Sequence, residues 1–254
     1  MKPFIAFTKK EMLEYSRSYK IFIFLILFAI LGMLSPLSAV FMDDILENFM
    51  PKGVKIEITD PTNLDSWMQF FKNGTQTGLM IMVILFSGMM AKEYEKSTLI
   101  NMVTKGLSRK TVVLSKFTAA LILWTVSYWL CFLITLAYTK YYFPDGKTAN
   151  LGLAVFSLYV FGIMLIAVLL LGAVTFKNVY GPLLLTGGFT LILFLVNIFP
   201  KAAEWNPLQL ANSNMRVVQG ILKLSDLKYS LLTAAIVVAV SLVSSLKIFD
   251  RKGL

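Results

Sequence analysis

The chain has 254 residues, 57% of them hydrophobic, and 24 Lys+Arg against 14 Asp+Glu give it a net charge of +10. Its apolar runs are too long for helices inside a soluble core, which excludes an ordinary water-soluble globule. It contains no histidine, which excludes His-ligated zinc hydrolysis and His-assisted nucleophilic catalysis.

Residues 1–20 form the first expected element, an amphipathic helix. A helical wheel gathers Phe4, Ile5, Met12, Tyr15 and Tyr19 on one face and Lys9, Lys10, Glu14, Arg17 and Lys20 on the other, with Phe7 and Leu13 outside the pattern. Such a helix lies in the membrane interface, its basic side chains facing lipid phosphates or a cytosolic partner. Six uncharged runs follow at 21–41, 74–91, 117–138, 151–176, 180–199 and 230–246. Each matches the roughly 17 to 25 residues that a bilayer of about 30 Å requires, and each is too long for the strand of a barrel. The expected fold is therefore an all-α integral membrane protein, a single domain over 1–254 with six transmembrane helices.

Between the first two runs, the segment 42–73 is acidic at Asp43, Asp44 and Glu47 and is expected outside the membrane, as is Trp67, whose ring suits either a headgroup anchor or ordinary packing. Residues 92–116 between the second and third runs are different in kind. Glu93 and Glu95 mark the exit of the second span. Leu99, Ile100, Met102 and Val103 then share one helical arc opposite Thr98, Asn101, Thr104 and Lys105, and Gly106 ends the pattern. Ser108, Arg109, Lys110 and Lys116 lead into the third span. The segment reads either as a rigid cytosolic knob that moves two spans when a partner displaces it, or as a solvated connector that orients the protein by its charge.

Cys131 in the third span fits a small apolar filler. Asp145 to Thr148, DGKT, resembles the end of a phosphate-binding loop, but Tyr141 stands where an earlier glycine is required, so it reads as a turn. Gly162, Gly172, Gly187 and Gly188 permit close helix contact, and Gly181-Pro182 weakens the start of the fifth span, where it can act as a hinge. Trp205 falls in the outer loop after that span.

The basic residues set the orientation. The N-terminal segment, residues 92–116, Lys177 and the C-terminal Lys247, Arg251 and Lys252 carry fifteen of them; the opposite face carries nine, with nine of the fourteen acids. Both termini are expected in the cytoplasm, with the basic excess meeting anionic membrane lipid, not nucleic acid. None of the six runs holds an ionisable Asp, Glu, Lys or Arg of the kind an ion-driven carrier uses.

The stretch AKEYEKSTLINMVTKGLSRKTVVLSKF resembles the segment after the second span of ABC-2-type transporter permeases: Glu93, Glu95, Thr98, Leu99, Ser108, Arg109 and Lys116 match, while Ser97 and Lys105-Gly106 depart from the pattern. FTKKEMLEYSRS is similar to that family's N-terminal interface helix, and FPKAAEWNPLQLANSNMR, with Asn206-Pro207, to its outer segment after the fifth span. The resemblance implies a plasma-membrane permease subunit of an ATP-driven exporter, without an ATPase site or cofactor of its own. ATP and Mg would be bound by two cytosolic ABC ATPase subunits, and a second permease copy or a homologue would complete the complex. It implies that Lys10 and Glu11 of the interface helix, and Glu93, Glu95, Thr98, Leu99, Met102, Val103 and Arg109, couple to the ATPase, with 177–179 as a minor second contact. The first and fifth spans would form the seam, with Gly181, Pro182, Gly187 and Gly188 as hinge or seam candidates. A hydrophobic or amphipathic cargo such as an antimicrobial or toxin peptide suits the apolar spans. A passive channel, or a non-transporting scaffold or sensor using the acidic outer segment, are the alternatives.

Overall fold

The computed structural model describes residues 2–42, 60–95 and 107–251, and among these all regular structure is helical. Helix α1 (Lys2–Arg17) turns into α2 (Lys20–Val40) through Tyr19, whose φ of 58° lies in the left-handed region. That conformation costs a non-glycine residue about 1 kcal/mol and makes the sharp corner between an interface helix and a span. Next come α3 (Asn63–Asn73), a π-helical turn at Gly74–Gly78 and α4 (Leu79–Ser87), continuous in direction, and the short α5 (Ala91–Glu95). Helix α6 (Arg109–Tyr142) and α7 (Leu151–Thr175) are long; α8 (Tyr180–Val196) is shorter. Three short helices, α9 (Pro200–Ala203), α10 (Gln209–Asn212) and α11 (Asn214–Val218), lead to α12 (Leu224–Arg251). Among the described residues, four helices, α2, α6, α7 and α12, are long and apolar enough to cross a membrane.

Helix α7 is the centre of the bundle: from Phe161 to Val174 only Ile163 and Leu171 escape full burial, and α12, α8, α6 and α4 pack around it. Helix α2 lies on α6 and α3. Aromatic rings fill the space between them. Phe28 meets Trp124 edge-on at 5.7 Å, Trp124 is stacked with Tyr159 at 6.4 Å, and Phe70 lies beside Tyr128 at 6.1 Å. Buried Tyr and Trp require partners for their polar ends. Trp124 Nε1 donates to Tyr159 O at 3.2 Å, and Tyr128 Oη donates to Val155 O at 2.7 Å. Gly162 permits this arrangement, since a Cβ there would fall 2.3 Å from the Trp124 ring.

Two sequence expectations change. Residues 63–73, expected in an outer loop, are helical, with Thr62 and Asp65 forming a capping box at the start. Trp67 is accordingly not a headgroup anchor: it is 2% exposed and packs on Phe70 and Phe132. On α1 the inward stripe is Phe7, Glu11 and Tyr15, whereas Ile5 and Tyr19 are exposed. Phe7 thus opens the buried face, and an acid sits in the middle of it. Most of the acidic outer segment, residues 43–59, lies outside the described residues. Trp205 is half exposed and stacks on Tyr229 at 4.4 Å.

Candidate functional site: a buried ion-pair knot

Helix α6 begins at Arg109, with Ser108 accepting the Thr111 N–H as its N-cap, so Lys116 falls two turns inside the helix. Its side chain is 1% exposed. An ammonium has three N–H donors and no acceptor, and all three are used: Glu11 Oε2 at 2.9 Å, Glu93 Oε1 at 2.5 Å and Met89 O at 2.7 Å. Lys10 bridges the same acids from the rim, reaching Glu11 Oε1 at 2.9 Å, Glu14 Oε2 at 2.8 Å and Glu93 Oε1 at 3.5 Å. Taking such groups out of water costs several kcal/mol per ion, so the arrangement holds only while every charge has its partners.

Electrostatics follow from this geometry. Burial alone would lower the Lys10 pKa, but the carboxylates of Glu14, Glu11 and Glu93 outweigh it and hold the ammonium well above its usual range. Burial, then the charges of Glu11, Glu93 and Glu14, push the Tyr15 hydroxyl far up. Tyr15 has no hydrogen-bond partner and lines a cavity of about 10 Å³ with Glu11, Glu14 and Glu93. These three acids place oxygens within 4.8 Å of one another, which is metal-ligand spacing. The ammonium groups of Lys10 and Lys116 bridge them, so the cluster is an ion-pair network and not a cation site.

The knot joins three elements, α1, α5 and α6, and neighbouring contacts extend it. Tyr94 on α5 donates to Val174 O at the end of α7 at 3.4 Å, and Lys177 lies 5.8 Å over its ring. Burial and Glu93 push the Tyr94 pKa up to about 12. Arg109 Nη1 donates to Phe249 O and Asp250 O, both at 3.0 Å, capping the last turn of α12 where a cation is favoured. Helices α1, α5 and α6, the loop before α8 and the end of α12 are therefore linked by direct side-chain contacts.

Of the residues singled out in the sequence, Lys10, Glu11 and Glu93 are brought together, Arg109 reaches α12 instead of the knot, and Glu95 is exposed. Thr98, Leu99, Met102 and Val103 lie outside the described residues. Lys116, the hub, reads in the sequence only as a basic residue before the third apolar run and a family match, and Glu14 and Tyr15 only as opposite faces of a wheel. The legible signal was an acid, Glu11, four residues after an aromatic and four before another on a helix otherwise rich in lysine.

The seam candidates separate into two kinds. Gly181 and Pro182 are close-packed: a Cβ on Gly181 would fall 2.2 Å from Phe176 Cβ, and Pro182 Cα lies where a Cβ on Gly172, a close-contact glycine of α7, would fall 2.7 Å away. This is a fitted joint between α7 and α8, with Asn178 Oδ1 accepting the Gly181 N–H at 2.7 Å. Gly187 and Gly188 face open space. Beside them, α4, the π turn, α7 and α8 line a groove of about 570 Å³, one end of which is lined by Leu208, Ala211 and Asn212. The segment carrying them is pinned to α8 and the residue that follows it: Asn206 Nδ2 donates to Leu193 O at 2.7 Å, and Gln209 Nε2 to Asn197 Oδ1 at 3.0 Å.

Comparison with known proteins decides what this architecture belongs to. The model of the ABC-2 family transporter protein matches residues 9–197, from inside the interface helix to the end of α8. The chain belongs to the ABC-2 transporter family. As an ABC-2 protein it is a multi-pass membrane permease component, of a family that works with ABC ATPase partners. It is also similar to an uncharacterized transmembrane protein of Bacillus subtilis (strain 168), YxlG, at 24% identity over 217 residues, which cover 83% of each chain. In this ABC-2 chain the knot lies at both flanks of the segment 96–106.

Proposed function

We propose that this ABC-2 permease is the six-span membrane subunit of an ATP-driven exporter in the plasma membrane, with both termini cytoplasmic. It pairs with a second permease and two ABC ATPase subunits, which bind the ATP and Mg. The apolar side chains of Leu99, Met102 and Val103 seat on the ATPase, and ATP-driven closure displaces the segment that carries them. The observation that carries this reading is Lys116, buried and bonded at once to Glu11 of α1, Glu93 of α5 and the Met89 carbonyl. A flexible connector has no need of a saturated buried ammonium at its root, whereas a lever does, because pulling one element away from the others unpairs charges at low dielectric. Displacement of the inner segment thus moves α1 and α6 as one body, with Arg109 carrying the motion to α12 and Tyr94 to the end of α7. The cargo is a hydrophobic or amphipathic molecule, in keeping with the apolar groove between α4 and α8.

Co-purification of the native chain with its ABC ATPase tests the coupling. Leu99→Asp together with Met102→Asp is expected to abolish the complex while leaving the bundle folded. An undiminished complex would remove the coupling claim.

A further inference from the structure

Helix α1 is tied down at its start, its middle and its end, and all three ties lie at one level of the bundle. Ser115 Oγ donates to Phe4 O at 3.3 Å, Lys116 Nζ donates to Glu11 Oε2 at 2.9 Å, and the corner at Tyr19 joins the end of α1 to Lys20. Ser115 and Lys116 immediately precede the charge-free run 117–138, and Tyr19 and Lys20 precede the charge-free run 21–41, both in helices long and apolar enough to cross a membrane. The helix therefore lies flat at the depth where hydrocarbon gives way to headgroups. Tyr19, exposed and with its ring 6.4 Å from that of Phe22, suits that depth.

The face of α1 turned away from the bundle carries the ridge Ile5, Lys9, Leu13 and Arg17, each about one turn from the next and all exposed. This differs from the charged face expected from the helical wheel, because Lys10 and both acids of the helix, Glu11 and Glu14, belong to the knot. The outward ridge keeps only basic and apolar side chains, and among the described residues neither Lys9 nor Arg17 has an acidic partner. Such alternation at headgroup depth complements an anionic phospholipid in both of its parts: long basic side chains reach the phosphates while aliphatic ones enter the upper acyl chains.

We propose that the outward ridge of α1 is a binding surface for anionic phospholipid, whose headgroups pair with Lys9 and Arg17 and whose acyl chains receive Ile5 and Leu13. Glu11, on the opposite face of the helix, is bonded to Lys116, so a lipid that holds α1 flat also resists opening of the knot. The charge of the surrounding lipid thereby sets how stiffly α1 is held. A zwitterionic lipid carries no net charge and forfeits most of the attraction. The contact needs only a membrane beside α1, so it stands whether or not an ATPase seats on the chain.

Amide hydrogen exchange of the full chain in lipid nanodiscs, without the ATPase, tests the proposal. The amides of α1 should exchange about 10- to 30-fold more slowly in discs of mixed phosphatidylglycerol and phosphatidylcholine than in phosphatidylcholine alone, at about 5-fold for each basic residue. Lys9→Gln together with Arg17→Gln changes two exposed side chains, leaves the fold intact and should bring that ratio close to unity. Lys247→Gln together with Arg251→Gln removes the same charge from exposed positions at the end of α12 and should leave the ratio as in the parent. Inorganic phosphate added to phosphatidylcholine discs should give α1 no protection. Exchange in the parent that ignores lipid charge, equal loss of the effect in the α12 variant, or equal protection by inorganic phosphate would overturn the inference. So would an α1 double variant that keeps the lipid effect but no longer co-purifies with the ABC ATPase, since the ridge would then be a protein-docking face. Because the exchange is measured without the ATPase, a failed co-purification of Leu99→Asp with Met102→Asp leaves the lipid result untouched.

Discussion

Replacing Lys116 with methionine removes the one cation that touches both Glu11 and Glu93 from within the bundle. Their side chains are 1% and 5% exposed, and the remaining partner, Lys10, is itself 37% exposed and already shared with Glu14. Methionine fills the volume, so the loss is electrostatic. Breaking a buried pair by removing one partner costs about 3–5 kcal/mol, because an uncompensated charge stays behind. At roughly 2–4 °C per kcal/mol for a chain of this size, the thermal midpoint should fall by about 6–20 °C. The measurement is unfolding of the purified protein in detergent, followed by circular dichroism. The triple variant Lys116→Met, Glu11→Gln, Glu93→Gln removes the stranded charges together with their cation and should recover most of the loss. A single variant within about 2 °C of the parent, or a triple variant no better than the single, would refute the view that buried charge holds these elements together.

Arg109→Gln withdraws the cap from α12, worth about 0.3–1 kcal/mol, and should speed amide hydrogen exchange several-fold in the last turn before Arg251 while leaving α7 unchanged. Gly162→Ala sets a methyl group 2.3 Å from Trp124 and should destabilise by about 1–3 kcal/mol, whereas Gly152→Ala, with nothing within 4 Å, should be neutral or slightly stabilising; thermal midpoints decide. The knot also predicts alkaline sensitivity. Tyr15 and Lys10 both have folded-state pKa values raised above their ordinary values of 10.0 and 10.5, so their stabilisation is complete below about pH 10 and is lost as pH rises through the folded values. Midpoints should be flat from about pH 7 to 9 and decline above about pH 10, less steeply in Tyr15→Phe by up to about 1.4 kcal/mol for each pH unit.

The helical membrane class was legible because its cause is local. A run such as 151–176 must satisfy every backbone group inside hydrocarbon, and only a helix of that length does so without neighbours. The amphipathic start and the acidic pair beyond the second span were legible for the same reason, as was the family pattern they carry. Residues 63–73 were misplaced because their polar members, Ser66 and Asn73, find partners only across the bundle, at Thr139 and Ser35. Trp67 follows them inward.

The composition and order of residues by themselves determined an all-α membrane protein of the ABC-2 type with its basic residues gathered beside the apolar runs and an amphipathic sequence between two of them. Tertiary structure alone decided which charges matter. Glu11 and Lys116 are 105 positions apart, and Glu93 and Lys116 are 23 apart, so no periodicity on a single helix relates them. The same holds for the groove, since its walls are drawn from α4, α7, α8 and residues 208–212, which lie far apart in sequence.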